Sequence, residues 1–396
     1  MSPSLSIANG KLHPIRRNVA GTAQLESAAK IAVWRKNADI SEGRKISVAP
    51  MMDWTDRHCR YFLRGFSKHV LLYTEMITAQ AILRGDRERL LRFDPEEHPV
   101  ALQLGGSEPE DLARAARAGE EAGYDEINLN CGCPSDRVAS GAFGACLMHE
   151  PDRVAASVAA MKAAVKLPVT VKMRIGVVEG RERDTHEAIA HVSEQDVAHL
   201  REFITKIRDA GCDVAIVHAR KAVLGGLSPK ENREVPPLRY DIVREMKREF
   251  PTLPIIVNGG FKDVSGTCEA LTWCDGVMLG REAYHRPMIL AELDRALERE
   301  GRSPSAARSS SPAAPSVEPA ADLATLREAM LDRMARYAAR EMARGERLSS
   351  ITRHMLGLYA GEPGARDYRR ALSEGARAAD ATADLIRRAA PTRAAA

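Results

Sequence analysis

The sequence predicts an α/β protein: a (β/α)8 TIM barrel followed by a small C-terminal helical domain. Three observations predict it. First, between residues 45 and 281 a short β-branched run, a loop with Gly, Pro or polar residues and a helical stretch recur eight times. Eight such units within ~250 residues match the count and length of a closed barrel. Second, Met52–Asp53, Gln103, Asn130, Lys172, His218, Asn258 and Arg281 stand at or just beyond the carboxyl ends of seven different runs. A barrel gathers such ends around one mouth, whereas an open doubly wound sheet, which has the same alternation, does not. Third, the composition shifts after residue 300 to "GRSPSAARSSSPAAPSVEPA", which cannot supply a core, and then to an Ala/Leu/Arg-rich stretch with helical spacing.

In chain order, residues 1–43 contain only Glu26, Asp39 and Glu42 as acids and show no clear array of elements. They read as a flexible N-terminal extension, with a transit peptide as the alternative. The strands are expected at 45–50, 71–76, 99–106, 126–133, 168–176, 214–220, 255–260 and 276–281. Their near-continuous apolar runs suit strands covered by helices. Helices are expected between them, for instance at 109–123 and 151–165, each with Pro early in the segment. The barrel therefore spans 44–300, the Ser/Ala/Pro linker 301–320 and the helical domain 321–396, interrupted by "GEPG" at 361–364.

At 44% hydrophobic and 28% charged, the chain has material for one large core and a smaller one. No apolar run approaches ~18 residues, which excludes a membrane span. Seven cysteines, an odd number in a chain this long, do not read as a disulfide framework, and a reducing, cytoplasmic setting is expected. The formal net charge is +4, and the 321–396 tail alone carries that surplus, with fourteen arginines, no lysine and ten acids. An arginine-only excess suits bidentate phosphate contacts, although a plain composition bias on solvated helix faces explains it as well.

Several residues point to chemistry. Glycines ending "IIVNGG" and "VMLGR" let backbone N–H groups approach a phosphate, with Arg281 adding charge, at the last two strands where barrels often hold phosphates. Lys172, inside the apolar run "PVTVKMR", needs an anionic partner or a function. A Schiff base is one role; a cation beside a flavin ring is another. His218 and Arg220 alternate on one strand and share a side. Cys133, in "INLNCGCPSDRV", is expected at the carboxyl end of the fourth strand, where a thiol could serve as general acid. Cys131 is expected on the same face if the strand runs straight. The spacing of Cys131, Cys133 and Cys146 fits no familiar zinc framework.

Together, "VAPMMDWTDRH" (48–58), "ALQLGG" (101–106), "INLNCGCPSDRV" (127–138), "VKMRIG" (171–176), "VHARKAVLGGLSPKENREVPPL" (217–238), "IIVNGG", "VMLGREAY" (277–284) and "ITRHMLGLYAGEPGARDYRR" (351–370) closely resemble the tRNA-dihydrouridine synthase A family. The resemblance implies a flavin-dependent oxidoreductase that uses FMN, with NADPH as electron donor, and reduces the C5=C6 bond of uridine in the tRNA D-loop at positions 20/20a. It implies hydride transfer to C6 and protonation of C5 by Cys133. Pro50, Met51 and Met52 match the segment packed on the flavin, and Gln103, Lys172 and His218 its hydrogen-bonding positions. Asn258, Gly259, Gly260, Gly280 and Arg281 match the FMN phosphate and ribityl site. Asn130, Arg220, Lys221, Lys230, Glu231, Asn232 and Arg233 match the uridine and tRNA side. In the tail, Arg353, His354, Arg366 and Arg369 are expected to grip the tRNA backbone.

The implied partner is tRNA, with no membrane and no obligate protein partner. The chain departs from the family at Cys131, commonly aliphatic there, and in a longer 177–196 segment and linker. Three rivals share some of these features: an FMN reductase of free pyrimidines, a Lys172 Schiff-base lyase, and a tRNA-binding module without catalysis.

Overall fold

Eight parallel strands close on themselves: β1 (Ile46–Val48), β2 (Leu71–Thr78), β3 (Val100–Gly105), β4 (Glu126–Cys131), β5 (Val169–Arg174), β7 (Val214–His218), β9 (Ile255–Asn258) and β10 (Gly276–Leu279). The structure, a computed structural model, describes residues 45–135, 143–179, 185–299 and 323–391. The expected extension 1–43 and linker 301–320 lie outside the described residues. Ile46 opposite Val277 and Ser47 opposite Leu71 join the first strand to the last and to the second, which closes the barrel. Each of the eight runs read from the sequence forms one barrel strand. Two further strands, β6 (Val177–Glu179) and β8 (Ala222–Leu224), pair in a separate two-stranded sheet made by the loops after β5 and β7.

Strand alternation divides the core into two layers. Ile127, Leu129 and Cys131 of β4 and Val169, Val171 and Met173 of β5 face outward and pack with the helices. The opposite parity fills the barrel: Leu71, Tyr73, Ala101, Val214, Ile216, Ile256 and Met278 form a separate inner cluster. Helix α1 (Arg57–Arg64) begins at Asp56, whose side chain accepts from the His58 and Cys59 amides. Helices α2 (Pro109–Ala122) and α3 (Pro151–Ala164) both start on proline, where its missing N–H costs nothing. Gly119 lets α2 lie close to the sheet, since a Cβ there would stand 2.6 Å from Leu102 Cδ2.

The tail is helical, with α4 (Leu323–Met342) and α5 (Ala365–Gly375) as its longest elements, and it belongs to the same compact unit as the barrel. It docks on α1. Tyr337 stacks on Tyr61 at 4.0 Å between ring centroids and bonds His58 Nδ1 at 2.8 Å. Buried Glu341 pairs with Arg57, with Arg92 at 2.8 Å and with Arg344 at 2.8 Å. Arg333 and Arg340 pair with Glu96 and Asp94 of the barrel. Part of the arginine excess therefore serves the seam between tail and barrel.

Burial alone would raise the Glu341 pKa, but the Arg57 hydrogen bond and the charges of Arg57, Arg344 and Arg92 win and bring it down from 4.5 to about 2. A carboxylate with a lowered folded pKa stabilises the fold above its unfolded pKa and loses that contribution as the pH falls toward the folded value. Replacing Glu341 with Gln should cost roughly 2–3 kcal/mol at pH 7, less than a fully buried pair because its arginines are partly solvated. Urea denaturation should show that difference shrinking below about pH 4.5.

Candidate active site at the barrel mouth

The inner face of β4 carries Glu126, Asn128 and Asn130, and Thr170 and Gln103 of the neighbouring strands join their side chains in one line of hydrogen bonds inside the barrel. Glu126 Oε1 accepts from Tyr73 Oη (2.6 Å) and Thr170 Oγ1 (2.5 Å). Asn128 donates to Thr170 (2.8 Å), Gln103 to Asn128 (2.7 Å) and Asn130 to Gln103 (2.9 Å). At the mouth, Asn130 Oδ1 accepts from the Gly132 and Cys133 amides, each at 3.0 Å. This turn ends β4 at Cys131, two residues earlier than expected. Cys133 accordingly stands in the loop rather than on the strand, half-buried, with its thiol 3.6 Å from Ser135 Oγ.

The expectation that Cys131 shares a face with Cys133 is corrected by the same turn. Cys131 points outward into the helix layer, fully buried, and burial drives its thiol pKa far up. Beside the Cys133 loop lies an open cleft of about 360 Å³ lined by Ser135 and residues 225–229.

Positive charge dominates the mouth. Burial, with Arg174 nearby, pushes the Lys172 ammonium down to about 7, while the Cys133 thiol pulls the other way. Lys172 makes no hydrogen bond or ion pair among the described residues. Buried His218 is held well below its usual pKa by desolvation and by Arg174 and Lys172, so its ring is neutral at neutral pH. Arg174, to which the sequence assigned no role, is buried, and its partners among the described residues are carbonyls: its Nε donates to Gly132 O (3.1 Å), and Nη1 to Lys221 O (3.0 Å) and Asn232 O (2.9 Å). Three loops are tied by one guanidinium.

Across the mouth, β9 ends in Asn258, whose amide donates to Met278 O at 2.8 Å. Gly259 and Gly260 follow with φ of +114° and +80°. A Cβ on Gly259 would stand 2.7 Å from His218 Cδ2, and one on Gly260 2.4 Å from Leu238 Cδ1, so glycine is required for both conformation and space. Around Gly280 a Cβ would meet nothing within 4 Å, which leaves open room at the end of β10. Arg281 reaches Glu234 at 2.6 Å, and Arg220 bonds Pro236 O. Of the mouth cations Lys172, Arg174, Arg220, Arg233 and Arg281, Arg281 is the one with a carboxylate in ion-pair contact among the described residues, that of Glu234. At the first strand, Pro50 and Met51 are half-buried and Met52 is 57% exposed.

Other expected residues have different places. Lys221 is buried with Nζ on Asp196 (2.7 Å) and Ala188 O (2.9 Å), so it anchors the 185–196 segment. Asn232 is buried and bonds Val223 N and O and Leu227 O, shaping its loop, while Lys230, Glu231 and Arg233 are exposed. His354 is buried between Asp56 (3.0 Å) and Tyr284 (3.2 Å), and Arg353 reaches Asp56 at 2.7 Å. Direct contact with a nucleic acid is closed to the His354 ring. Arg366 and Arg369 are exposed on α5, three residues apart and hence on one face.

A barrel mouth with surplus cations and glycine-ended final strands defines the class of barrel enzymes that hold an anionic ligand there. The chain belongs to the dihydrouridine synthase family, whose model matches residues 47–395. It is similar to the tRNA-dihydrouridine(20/20a) synthase of Pseudomonas aeruginosa, with 51% identity over 85% of this chain and 91% of the relative. The enzymes of the same name from Synechocystis sp. (49%; 87% and 93% covered) and Vibrio cholerae (48%; 87% and 95%) are comparably similar.

Replacing Arg174 with Lys keeps the charge but cannot reproduce a planar fork serving three carbonyls. Equilibrium unfolding should show a loss of roughly 1–3 kcal/mol, and proteolysis should find the mouth loops more open.

Proposed function

We propose that this chain reduces the C5=C6 bond of uridine at positions 20 and 20a of the tRNA D-loop, as an FMN enzyme with NADPH as electron donor. The observation that carries the reading is the excess of buried and half-buried cations around a half-exposed thiol. The residues fit FMN: its phosphate suits Arg281 and the amides of Gly259 and Gly260, positions where a Cβ would clash, and Asn258 and Gly280 leave room for the ribityl chain. Pro50, Met51 and Met52 offer an apolar surface to the ring, and Gln103, Lys172 and His218 polar contacts. The flavin, when bound, supplies the hydride.

The chain's own work is positioning and proton transfer. Cys133 gives its proton to C5 of the pyrimidine, and Lys172, beside it, balances the negative charge that develops before that proton arrives. Asn130, at the end of β4, and Arg220 and Arg233, at the rim, hold the base and its flanking phosphates. Glu231 contributes by ordering its loop on Ser228. Lys221, Asn232 and His354 act through the shape they give to neighbouring segments. A uridine stacked in the tRNA elbow must be turned out to reach the mouth. The tail supplies exposed Arg366 and Arg369 for the tRNA backbone. The seven free thiols suit a reducing cytoplasm.

The test is dihydrouridine mapping in tRNA from a strain lacking the gene, with and without the chain restored. Loss and recovery at 20 and 20a is expected; unchanged tRNA with reduction of free uracil would favour a pyrimidine reductase. Cys133→Ala should retain flavin absorbance while single-turnover reduction falls by about a hundredfold or more. Arg366→Ala and Arg369→Ala should each weaken tRNA binding regardless of sequence and lower the salt dependence by roughly one counterion.

A further inference from the structure

The hydrogen bonds inside the barrel have a direction, and Glu126 sets it. A carboxylate oxygen accepts, so Glu126 Oε1 takes the single hydroxyl proton of Thr170 at 2.5 Å. Thr170 Oγ1 is then left to accept from Asn128 Nδ2 (2.8 Å). Asn128 must turn its Oδ1 to Gln103, where it receives the Nε2 proton at 2.7 Å. Gln103 in turn presents Oε1 to Asn130 Nδ2 (2.9 Å). Asn130 is left with Oδ1 toward the loop, where it accepts from the Gly132 and Cys133 amides at 3.0 Å. Flipping any one amide would set donor against donor or acceptor against acceptor along the line. All these side chains are buried, so water cannot repair a mismatch cheaply.

We propose that Glu126, Thr170 and Asn128 are positioning residues that fix, through Gln103 and Asn130, the amide sense at the mouth and the conformation of the Cys133 loop. None of the three touches the mouth itself. Glu126 begins β4, Thr170 lies opposite Asn128 on β5, and Asn128 lies opposite Gln103 on β3. The line therefore runs along the inside of the barrel to the loop it sets. The catalytic consequence rests on the proposed role of Cys133; the structural consequence does not.

The experiment compares the full-length protein with Thr170→Val, which keeps the outline and removes the hydroxyl, and with Thr170→Ser, which restores it. Two readouts need neither flavin nor tRNA: amide hydrogen exchange at Gly132 and Cys133, and the rate of Cys133 alkylation, with Cys146 in the same digest as internal reference. The valine variant should exchange and alkylate roughly fivefold faster, the loss of about one neutral hydrogen bond, and the serine variant should return to the wild-type rates. In the proposed reaction, kcat should fall in the valine variant with KM for tRNA little changed. Wild-type rates in the valine variant, or equal acceleration in both variants, would overturn the proposal. If the valine variant unfolds, shown by alkylation of buried Cys131, Glu126→Gln decides. An amide can turn either a donor or an acceptor to Thr170, so the outline is kept while the sense of the line is released; the same acceleration is expected and its absence has the same adverse meaning. An inactive wild type with accelerated loop exchange in the variants would count against uridine reduction and leave the positioning role standing.

Discussion

Arg174 holds the mouth together. Its guanidinium joins the backbones of the Cys133 loop, the segment after His218 and the 228–234 loop through their carbonyls, with no carboxylate partner among the described residues. Carbonyl dipoles bring a buried cation no countercharge, and Lys172, Arg220 and Arg233 add to the same field. Burial and mutual repulsion depress all of these groups and keep His218 neutral. Such a mouth gains most from an anion. The chemistry proposed here uses that gain twice, for a phosphate at the far rim and for the charge that grows on the pyrimidine before Cys133 protonates it.

The same economy of contacts links the mouth to the tail. Trp54, in the loop after β1, stacks on Tyr284 at 4.4 Å, and Tyr284 bonds His354 of the tail. Asp56 caps α1 while accepting from Arg353 and lying against His354. Burial works against the Asp56 charge, but the His354 contact, the Cys59 amide and His58 together more than offset it and hold the carboxyl well below its usual range. The tail surface proposed to meet tRNA is thereby fixed relative to the loop beside the proposed flavin site.

The barrel was legible because its eight runs are apolar and β-branched, and the polar residues at their ends report where the mouth lies. The strand termini were less so: nothing in "NCGCPS" alone reveals that the Asn130 side chain captures two amides and turns the chain. Residue type also misled at Lys221, Asn232 and His354. Their polarity was readable, but burial against Asp196, Val223 and Asp56 depends on segments far away in sequence. Strands β6 and β8 are three residues each, too short to carry a periodic signal. Arg174 sat in plain view in "VKMRIG", yet its role needs three loops that only the fold assembles.

The central claim is that this cationic mouth is completed by a flavin phosphate. Titration of the flavin-free full-length protein with FMN, followed by flavin absorbance and fluorescence, tests it most directly. Saturation at one FMN per chain, with shifted bands and with riboflavin, which lacks the phosphate, binding at least about tenfold more weakly, is the result predicted. Failure to take up FMN, or equal affinity for riboflavin, would contradict the account.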